Sequence, residues 1–542
     1  MATAAHSPAA VAAALEPSAI RRIAARPRGE LLAWALLVAA AIAVRLIALG
    51  DRPFHHDESQ DAYFSYLFRT TGDYAYNPLL HGPLRFYLTA GAYVLFGDSD
   101  FTARLAPALM GALMVPMPYG LRRQIGRGGA LAAGALLAFG PTYLYFSRFA
   151  REDIYVASIT LALIVVTFRF LERPRPHQPA LIGALLALSF ATKETTFITV
   201  FVAGTFFLAA LAVQRRRAGN WRDVELVRTV ASVGWVPWAS AAAAFIAVFT
   251  ILFTTFLTHP AGLWDGIYTG LKYWLSQHSV GRGGESDVFY VVVLLGEEWP
   301  VVLLGAIGAV AALRRPTLLR AFLVWDFVLS LIVYSWAGEK FAWLVMHPLL
   351  PLILLAGLGV EAIWVARRRW SGRVGVVLAV LAFAYAGLAS FWVNAVHRAD
   401  PRELLVSTQS SEQVKQIAEA VVARVGRSSL PVTVDAADGA SFPYAWYFRH
   451  LDAGYPDLSA SGTLPAGGIA ILTDASRARL RGQLSGYEER PFHFRVWWVR
   501  DYSELTPGSA WRWLSARDPW SPTGGMREWL EWPRSLGPVP PA

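Results

Sequence analysis

Apolar residues recur along this chain in long unbroken runs rather than in alternation. A spanning helix needs about 20 mostly apolar residues. Eleven stretches approach that length: 31–50, 105–120, 129–147, 154–171, 179–195, 196–213, 229–256, 288–313, 318–337, 341–366 and 374–393. A further run, 84–97, is too short to cross and predicts an interfacial or re-entrant helix. After Asn394 the pattern changes. Apolar stretches become brief and strand-like, at 431–435, 468–473 and 492–499, behind a helical segment at 410–425. They predict a small α/β domain over about 396–505, then a Trp- and Pro-rich end with little periodicity.

The expected organisation is an α-helical polytopic membrane protein of about eleven transmembrane helices with a C-terminal extracytoplasmic α/β domain. Residues 1–30, rich in Ala, Pro and Arg, form a disordered cytoplasmic N-terminus; 31–394 form the transmembrane domain, with an outer juxtamembrane loop at 51–104; 395–542 form the exported domain and tail. The first apolar run follows no compact signal core or cleavage site, so it stays as an anchor.

Composition agrees with this reading. Of 542 residues, 55% are hydrophobic and 16% charged, against about 25% charged in ordinary globular proteins. Mean hydropathy is +0.38. A soluble multidomain protein is excluded. Cysteine is absent, which rules out disulfides, thiolate metal sites and a cysteine nucleophile. The net charge of +10 comes largely from arginine clusters at 21–28, 122–127, 173–175, 215–217, 314–315 and 367–369. Eleven crossings put every cluster on the cytoplasmic side, and a crossing at 84–97 would split them. The GRGGE segment at 281–285 lacks the strand–turn–helix setting of a nucleotide loop. No nucleic-acid partner is expected.

Candidate chemistry gathers on the outer side. FHHDESQDAYF holds His56, Asp57, Glu58 and Asp61 just after the first span. Aromatic neighbours should press this segment against the bilayer, where an Asp can serve as a general base. Adjacent histidines point apart on a helix or a strand, so hydrogen bonding is favoured over a shared metal. YNPLLHGPLRFYL carries His81 and Arg85, expected at headgroup depth with Arg85 snorkelling. SRFAREDIY brings Arg151, Glu152 and Asp153 to the top of a span.

Lysine is scarce. Only Lys193, Lys272, Lys340 and Lys415 occur, and three of them fall on outer turns. Lys193 and Lys340 interrupt apolar stretches, each beside a Glu, where an ionisable group is costly. Each could pair with that Glu or hold a phosphate as a point charge. Charge and topology assign Arg151, Lys193 and Lys340 to a donor phosphate. The 257–287 loop adds Lys272, Trp274, His278 and Arg282, a surface suited to stacking on sugars or to lying in the interface. With His56, His81, Arg85 and Glu152 these are the candidate substrate or lipid contacts.

HHDESQDAYF, NPLLHGP, SRFAREDIY, ATKE, WLSQHSVGRG and GEKFAWLVMHPLLPLILLAG form an ordered set similar to the GT-C glycosyltransferases. That group includes the family 39 protein O-mannosyltransferases and the aminoarabinose and Rgt-type enzymes. More narrowly, over about 31–450, the set resembles the bacterial and archaeal family named for an archaeal flippase-activity-associated protein. The resemblance implies a GT-C-like fold in the cell membrane and a polyprenyl-phosphate-linked sugar donor. The sugar would pass to a glycan, lipid or protein acceptor at the outer face. It makes Asp57 the general base and Glu58 and Asp153 the auxiliary acids. Those three carboxylates could also hold a divalent metal through oxygen ligands. A second reading, a non-catalytic accessory or translocation factor for lipid-linked saccharides, uses the same cations to hold the phosphate.

Overall fold

The computed structural model describes residues 28–277, 280–426 and 430–541. The expected disordered N-terminus therefore lies, up to residue 27, outside the described residues, and so does His278. Every apolar run of the sequence coincides with helix, but not every one with a straight spanning helix. Seven are long and apolar enough to cross a membrane by themselves: Arg28–Leu46, Asp153–Glu172, Thr196–Ala218, Val236–Phe253, Leu318–Trp336, Ala342–Ala366 and Trp370–Val396. Two more candidates are bent pairs, Arg127–Phe139 with Pro141–Ser147 (52°) and Phe289–Glu297 with Trp299–Arg314 (99°).

The expected eleven spans thus become seven to nine among the described residues, for two local reasons. Pro116 ends the run from 105 by removing a backbone donor, leaving Leu105–Met114 and a 3₁₀ turn at Met117–Leu121. The run from 179 yields only the 13-residue helix Gln178–Phe190, because the chain turns through Ala191–Thr195 to present Lys193. Leu84–Phe96 is likewise a short 13-residue helix.

The bundle is centred on Met346–Ala366 and Asp153–Glu172, both largely buried among the other helices. Glycine permits the closest approach. A Cβ on Gly308 would lie 1.8 Å from the Leu355 carbonyl oxygen, and one on Gly359 would lie 2.1 Å from that of Leu304. Small residues at such a seam let two membrane helices pack backbone to backbone.

Beyond the helices lies one six-stranded sheet. Its strands are β1 (Gln409–Ser410), β2 (Val432–Val434), β3 (Ala453–Gly454), β4 (Ile469–Thr473), β5 (Tyr487–Trp498) and β6 (Thr523–Pro533). The order is β1-β5-β6-β4-β2-β3. Strands β2, β3 and β4 run parallel, while β6 is antiparallel to both of its neighbours. The amphipathic helix Glu412–Val425 packs on it through Val414, Ile417 and Val421. The region after 505, whose pattern shows little periodicity, supplies the helix Pro507–Ala516 and β6. Its alternation is masked because β6 buries two glutamates, Glu528 and Glu531, along with Leu530 and Trp532.

This domain docks on the 51–104 segment. Lys415 Nζ lies 2.8 Å from Asp100, Trp446 Nε1 donates to Asp100 at 2.8 Å, and Arg449 Nε donates to Asp98 at 2.8 Å. Arg500 pairs with Glu285. The sheet thus lies at the end of the bundle where the chemistry-bearing turns meet.

Candidate active site

The helix His56–Thr71 sets the position of Asp57. His55 is its N-cap: Nδ1 accepts from the Asp57 amide at 3.0 Å, and Glu58 returns the bond by accepting from the His55 amide at 3.1 Å. This reciprocal cap satisfies two otherwise orphaned donors. Gly72 closes the helix at φ 73°, a conformation that suits glycine.

Glu58 faces away from open space. Its carboxylate accepts two bonds from Arg104 (2.9 and 3.0 Å), one from Arg52 (3.2 Å) and one from the Ala150 amide (2.8 Å). Burial raises its pKa, but Arg104 and Arg52 outweigh that and hold it at about 2. The side chain is fully buried, and its lone pairs are used up in joining three segments. Its geometry is that of a scaffold residue beside Asp57.

Asp57 is turned the other way, with 31% of its side chain exposed. Oδ2 accepts from Arg151, and the imidazole of His55 lies 4.0 Å from Oδ1. Burial again works against ionisation, yet Arg151 and the two histidines bring the carboxyl to about 2. The Arg151 guanidinium lies 4.4 Å over the Trp343 ring and donates to Glu152 at 2.9 Å. A buried, stacked guanidinium of this kind is held firmly while its charge is shared between two acids.

Glu152 is the hub. Oε1 takes Arg151, Lys193 Nζ (3.1 Å) and His81 Nε2 (3.3 Å), while Oε2 accepts from Arg85 at 2.7 Å. Burial is overcome by these cations, Arg151 and Lys193 foremost, so Glu152 lies well below the usual carboxylate range. Lys193 also donates to both oxygens of Asp153, at 2.8 and 3.0 Å. On the far side of Asp153, His347 Nε2 lies at 3.7 Å, its ring stacked on Tyr334.

Arg85 does not snorkel. It is buried and bonded to Asp61, Glu152 and the Leu80 carbonyl, because two carboxylates meet it inside the protein. For Asp61, burial and the charge of Glu152 outweigh Arg85 and push the carboxyl well above its ordinary value. His81 stacks on Trp274 at 4.3 Å and bonds Glu194 at 2.7 Å. Its backbone has φ 61°, a conformation that costs a non-glycine residue about 1–3 kcal/mol and tends to mark functional sites. The neighbouring Gly82 makes the placement possible: a Cβ there would meet the Ala191 carbonyl oxygen at 2.2 Å.

Together Asp57, Arg151, Glu152, Lys193 and Asp153 form one continuous chain of ion pairs. Three sequence elements separated by up to 136 positions, from Asp57 to Lys193, converge there. Lys193 and His81 then border a cavity of about 220 Å³ whose remaining wall is mostly apolar, including Phe197, Ile198, Leu271 and Leu344. Glu194 and Glu339 also line it, so its polar end carries Lys193 with two acids, while its apolar wall suits the hydrocarbon of an amphiphile.

Other expected residues fall elsewhere. Lys340 pairs with Asp287 at 2.9 Å, donates to the Ala337 carbonyl at 2.8 Å and borders a separate cavity with Arg500 and Trp498. The 281–287 loop folds over it and supplies the acid. It is not joined to the Asp57 chain. Trp274 belongs to the site through His81, and Arg282 contacts Tyr273 at 3.2 Å. Lys272 is exposed, 5.9 Å from the Tyr268 ring. His56 lies beside Asp57 and bonds Arg495 of β5 at 2.9 Å. Among the described residues no three His, Asp or Glu side chains are grouped to hold a metal. The expected Asp57–Glu58–Asp153 set is not assembled, because Arg104 and Arg52 engage Glu58 while Lys193 engages Asp153.

Sequence reading assigned no role to Asp61, offered Glu194 only as a partner for Lys193, and missed Arg52, Arg104 and His347. Asp61 and Glu194 were visible as acids within the chemistry-bearing motifs. Arg52 and Arg104 carried no local signal, since only the fold brings them to Glu58.

Comparison with known proteins places this geometry on a known architecture. A family model described as dolichyl-phosphate-mannose-protein mannosyltransferase matches residues 80–240. No curated protein matches the chain in sequence. Among solved structures, ArnT from Cupriavidus metallidurans in the apo state aligns with TM-score 0.61 at 15% identity, covering 93% of this chain and 99% of that one. ArnT bound to undecaprenyl phosphate aligns with TM-score 0.58 at 15% identity and the same coverage of 93% and 99%. The Archaeoglobus fulgidus oligosaccharyltransferase tethered to an acceptor peptide aligns with TM-score 0.51 at 12% identity, over 80% of this chain and 64% of that one. The chain has the GT-C fold.

Proposed function

We propose that this protein is an integral-membrane glycosyltransferase. It takes a sugar from a polyprenyl-phosphate donor and passes it to an acceptor hydroxyl at the outer face of the cell membrane. The observation that carries this reading is Arg151 held between Asp57 and Glu152, in a chain of charges that ends at an apolar-walled cavity. The ArnT likeness, which includes a form bound to undecaprenyl phosphate, supports the class of donor.

The reaction follows from charge exchange. In the unliganded site Arg151 neutralises Asp57, and a carboxylate held near pKa 2 is a weak base. A donor phosphate entering beside Lys193 competes for Arg151. As the guanidinium turns to it, Asp57 loses its main counter-charge and its basicity rises. The acceptor oxygen then attacks the anomeric carbon, its proton passes to Asp57, and the carbon–oxygen bond to the phosphate breaks. The leaving phosphate keeps the electron pair and is stabilised by Lys193 and by the turned Arg151 guanidinium, cations placed where charge develops. Attack opposite the phosphate inverts the anomeric centre. Asp153 and Glu152 hold Lys193 and Arg151 in place. The arginine clusters at the other end of the bundle orient this site outward with the N-terminus cytoplasmic.

The test is transfer by purified, reconstituted protein from a panel of undecaprenyl-phosphate-linked sugars to a membrane glycan extract. Asp57→Asn should lower the rate by about 10²–10⁴-fold while leaving undecaprenyl phosphate binding intact. Transfer by Asp57→Asn at the wild-type rate refutes the assignment. Binding without transfer by either protein replaces it with the accessory role.

A further inference from the structure

The other end of the bundle carries a groove that the proposed chemistry does not use. It has a volume of about 660 Å³ and lies between three helices, Trp299–Arg314, Leu318–Trp336 and Met346–Ala366. Arg320 opens Leu318–Trp336, whose opposite end leads to Ala337 at the donor cavity. That helix has 19 residues, or about 28 Å at 1.5 Å per residue. The groove therefore lies about one bilayer thickness from the active site.

Its walls are apolar and open. Leu303, Ile307 and Val310 line one side and Val365 the other, all of them exposed. Its rim is cationic. Arg314, Arg315 and Arg320 stand there, and among the described residues none forms an ion pair. Arg320 spends its donors on the carbonyls of Gln124 and Arg315, which satisfies hydrogen bonding but leaves the charge uncompensated. Glu361 is the one acid in the lining, and it is engaged by the Gly129 amide at 3.0 Å. Three guanidiniums thus face one carboxylate above an apolar slot.

We propose that this groove is a binding site for an anionic phospholipid, its acyl chain along Leu303, Ile307 and Val365 and its phosphate at Arg314, Arg315 and Arg320. Basic pockets between membrane helices on the cytoplasmic side recognise anionic headgroups in this way. Charge complementarity selects this occupant over the chain's own N-terminus, which before residue 27 carries Arg21, Arg22 and Arg26 against Glu16 alone and would be repelled.

The test compares phosphatidylglycerol with phosphatidylcholine of the same acyl chains, added to the full chain in neutral detergent and read by native mass spectrometry and thermal melting. Phosphatidylglycerol should be retained selectively and raise the melting temperature. Replacing Arg314, Arg315 and Arg320 by Gln should weaken its binding by about fivefold per charge removed. The same change at Arg367, Arg368 and Arg369, outside the groove, should leave binding near wild type. Ala306→Trp, which fills the slot with the rim intact, should also weaken binding and decides the matter if the triple variant does not fold. Equal retention of the two lipids, an equal loss in the control triple, or undiminished binding by Ala306→Trp overturns the site.

Discussion

Arg495, on β5 of the C-terminal sheet, donates to Nδ1 of His56 at 2.9 Å, one residue from Asp57. Because a guanidinium only donates, Nδ1 of His56 accepts in this contact, and the proton of the neutral ring is left to Nε2. The sheet therefore fixes the tautomer of a residue next to the proposed base. His56 is held below its ordinary pKa by burial and by Arg495 and Arg151, against the pull of Asp57. In Arg495→Gln the imidazole should protonate at higher pH. Peptide mass spectrometry of diethylpyrocarbonate labelling, which follows neutral imidazole, should show the His56 midpoint moving up. An unchanged midpoint would mean that the contact does not govern His56.

Arg151 and Lys193 neutralise two buried carboxylates, Glu152 and Asp153, and the partly exposed Asp57. Removing Arg151 leaves Asp57 and Glu152 short of a counter-charge, and breaking a buried pair from one side costs about 3–5 kcal/mol. Arg151→Gln should melt markedly lower and bind undecaprenyl phosphate weakly. Lys193→Gln should share the binding defect. Lys340→Gln should bind the lipid like wild type, because Lys340 is engaged by Asp287 in another cavity. Undecaprenyl phosphate titration separates these outcomes, and a defect confined to Lys340 would move the phosphate site.

Much of this was legible without coordinates, for reasons that differ by residue. Asp57, Arg151, Glu152 and Lys193 stood out because charge is expensive beside long apolar runs, so each announced itself locally. Lys340 announced itself equally and belongs elsewhere, since cost marks a group as paired without saying by whom. Glu58 was indistinguishable from Asp57 in sequence. One residue of helical rotation, about 100°, turns one acid to Arg151 with part of its side chain exposed and the other into Arg104. The bends at Gly140 and at Glu298 also escaped. Hydropathy measures the length of an apolar run and passes over the breakers inside these two, Gly140-Pro141 and Glu297-Glu298-Trp299-Pro300.

Glu58 predicts an acid-sensitive fold. Its folded pKa is depressed to about 2 from an ordinary value near 4.3. Its contribution is thus complete above the ordinary value and lost as pH falls through the folded one. The shift corresponds to roughly 3 kcal/mol for this fully buried group. Wild-type melting temperature should hold from neutral pH to about 5 and then fall steeply. Glu58→Gln should melt lower at neutral pH and show a flatter acid limb. Parallel acid limbs in the two proteins would show that other groups control the transition.

The tail after Leu505 offers the sharpest contrast between pattern and structure. Its hydrophobic pattern shows little periodicity. In the fold it supplies β6, which lies between β5 and β4 and pairs with both. It also supplies Arg517, buried 3.2 Å from Glu297 at the bent membrane helix and 3.2 Å from Glu403. Removing a central strand leaves two unpaired edges, whereas removing an edge strand leaves one. Truncation after Leu505 should therefore make the whole domain from Gln409 onward protease-sensitive. Arg517→Met, which keeps β6, should preserve the resistance of the sheet while lowering the melting temperature through Glu297, which loses its cation, and Glu403, left with His397 alone. Limited proteolysis with mass mapping of the fragments distinguishes the two. Survival of an intact, resistant 409–505 fragment in the truncated protein would mean that the sheet does not depend on its middle strand.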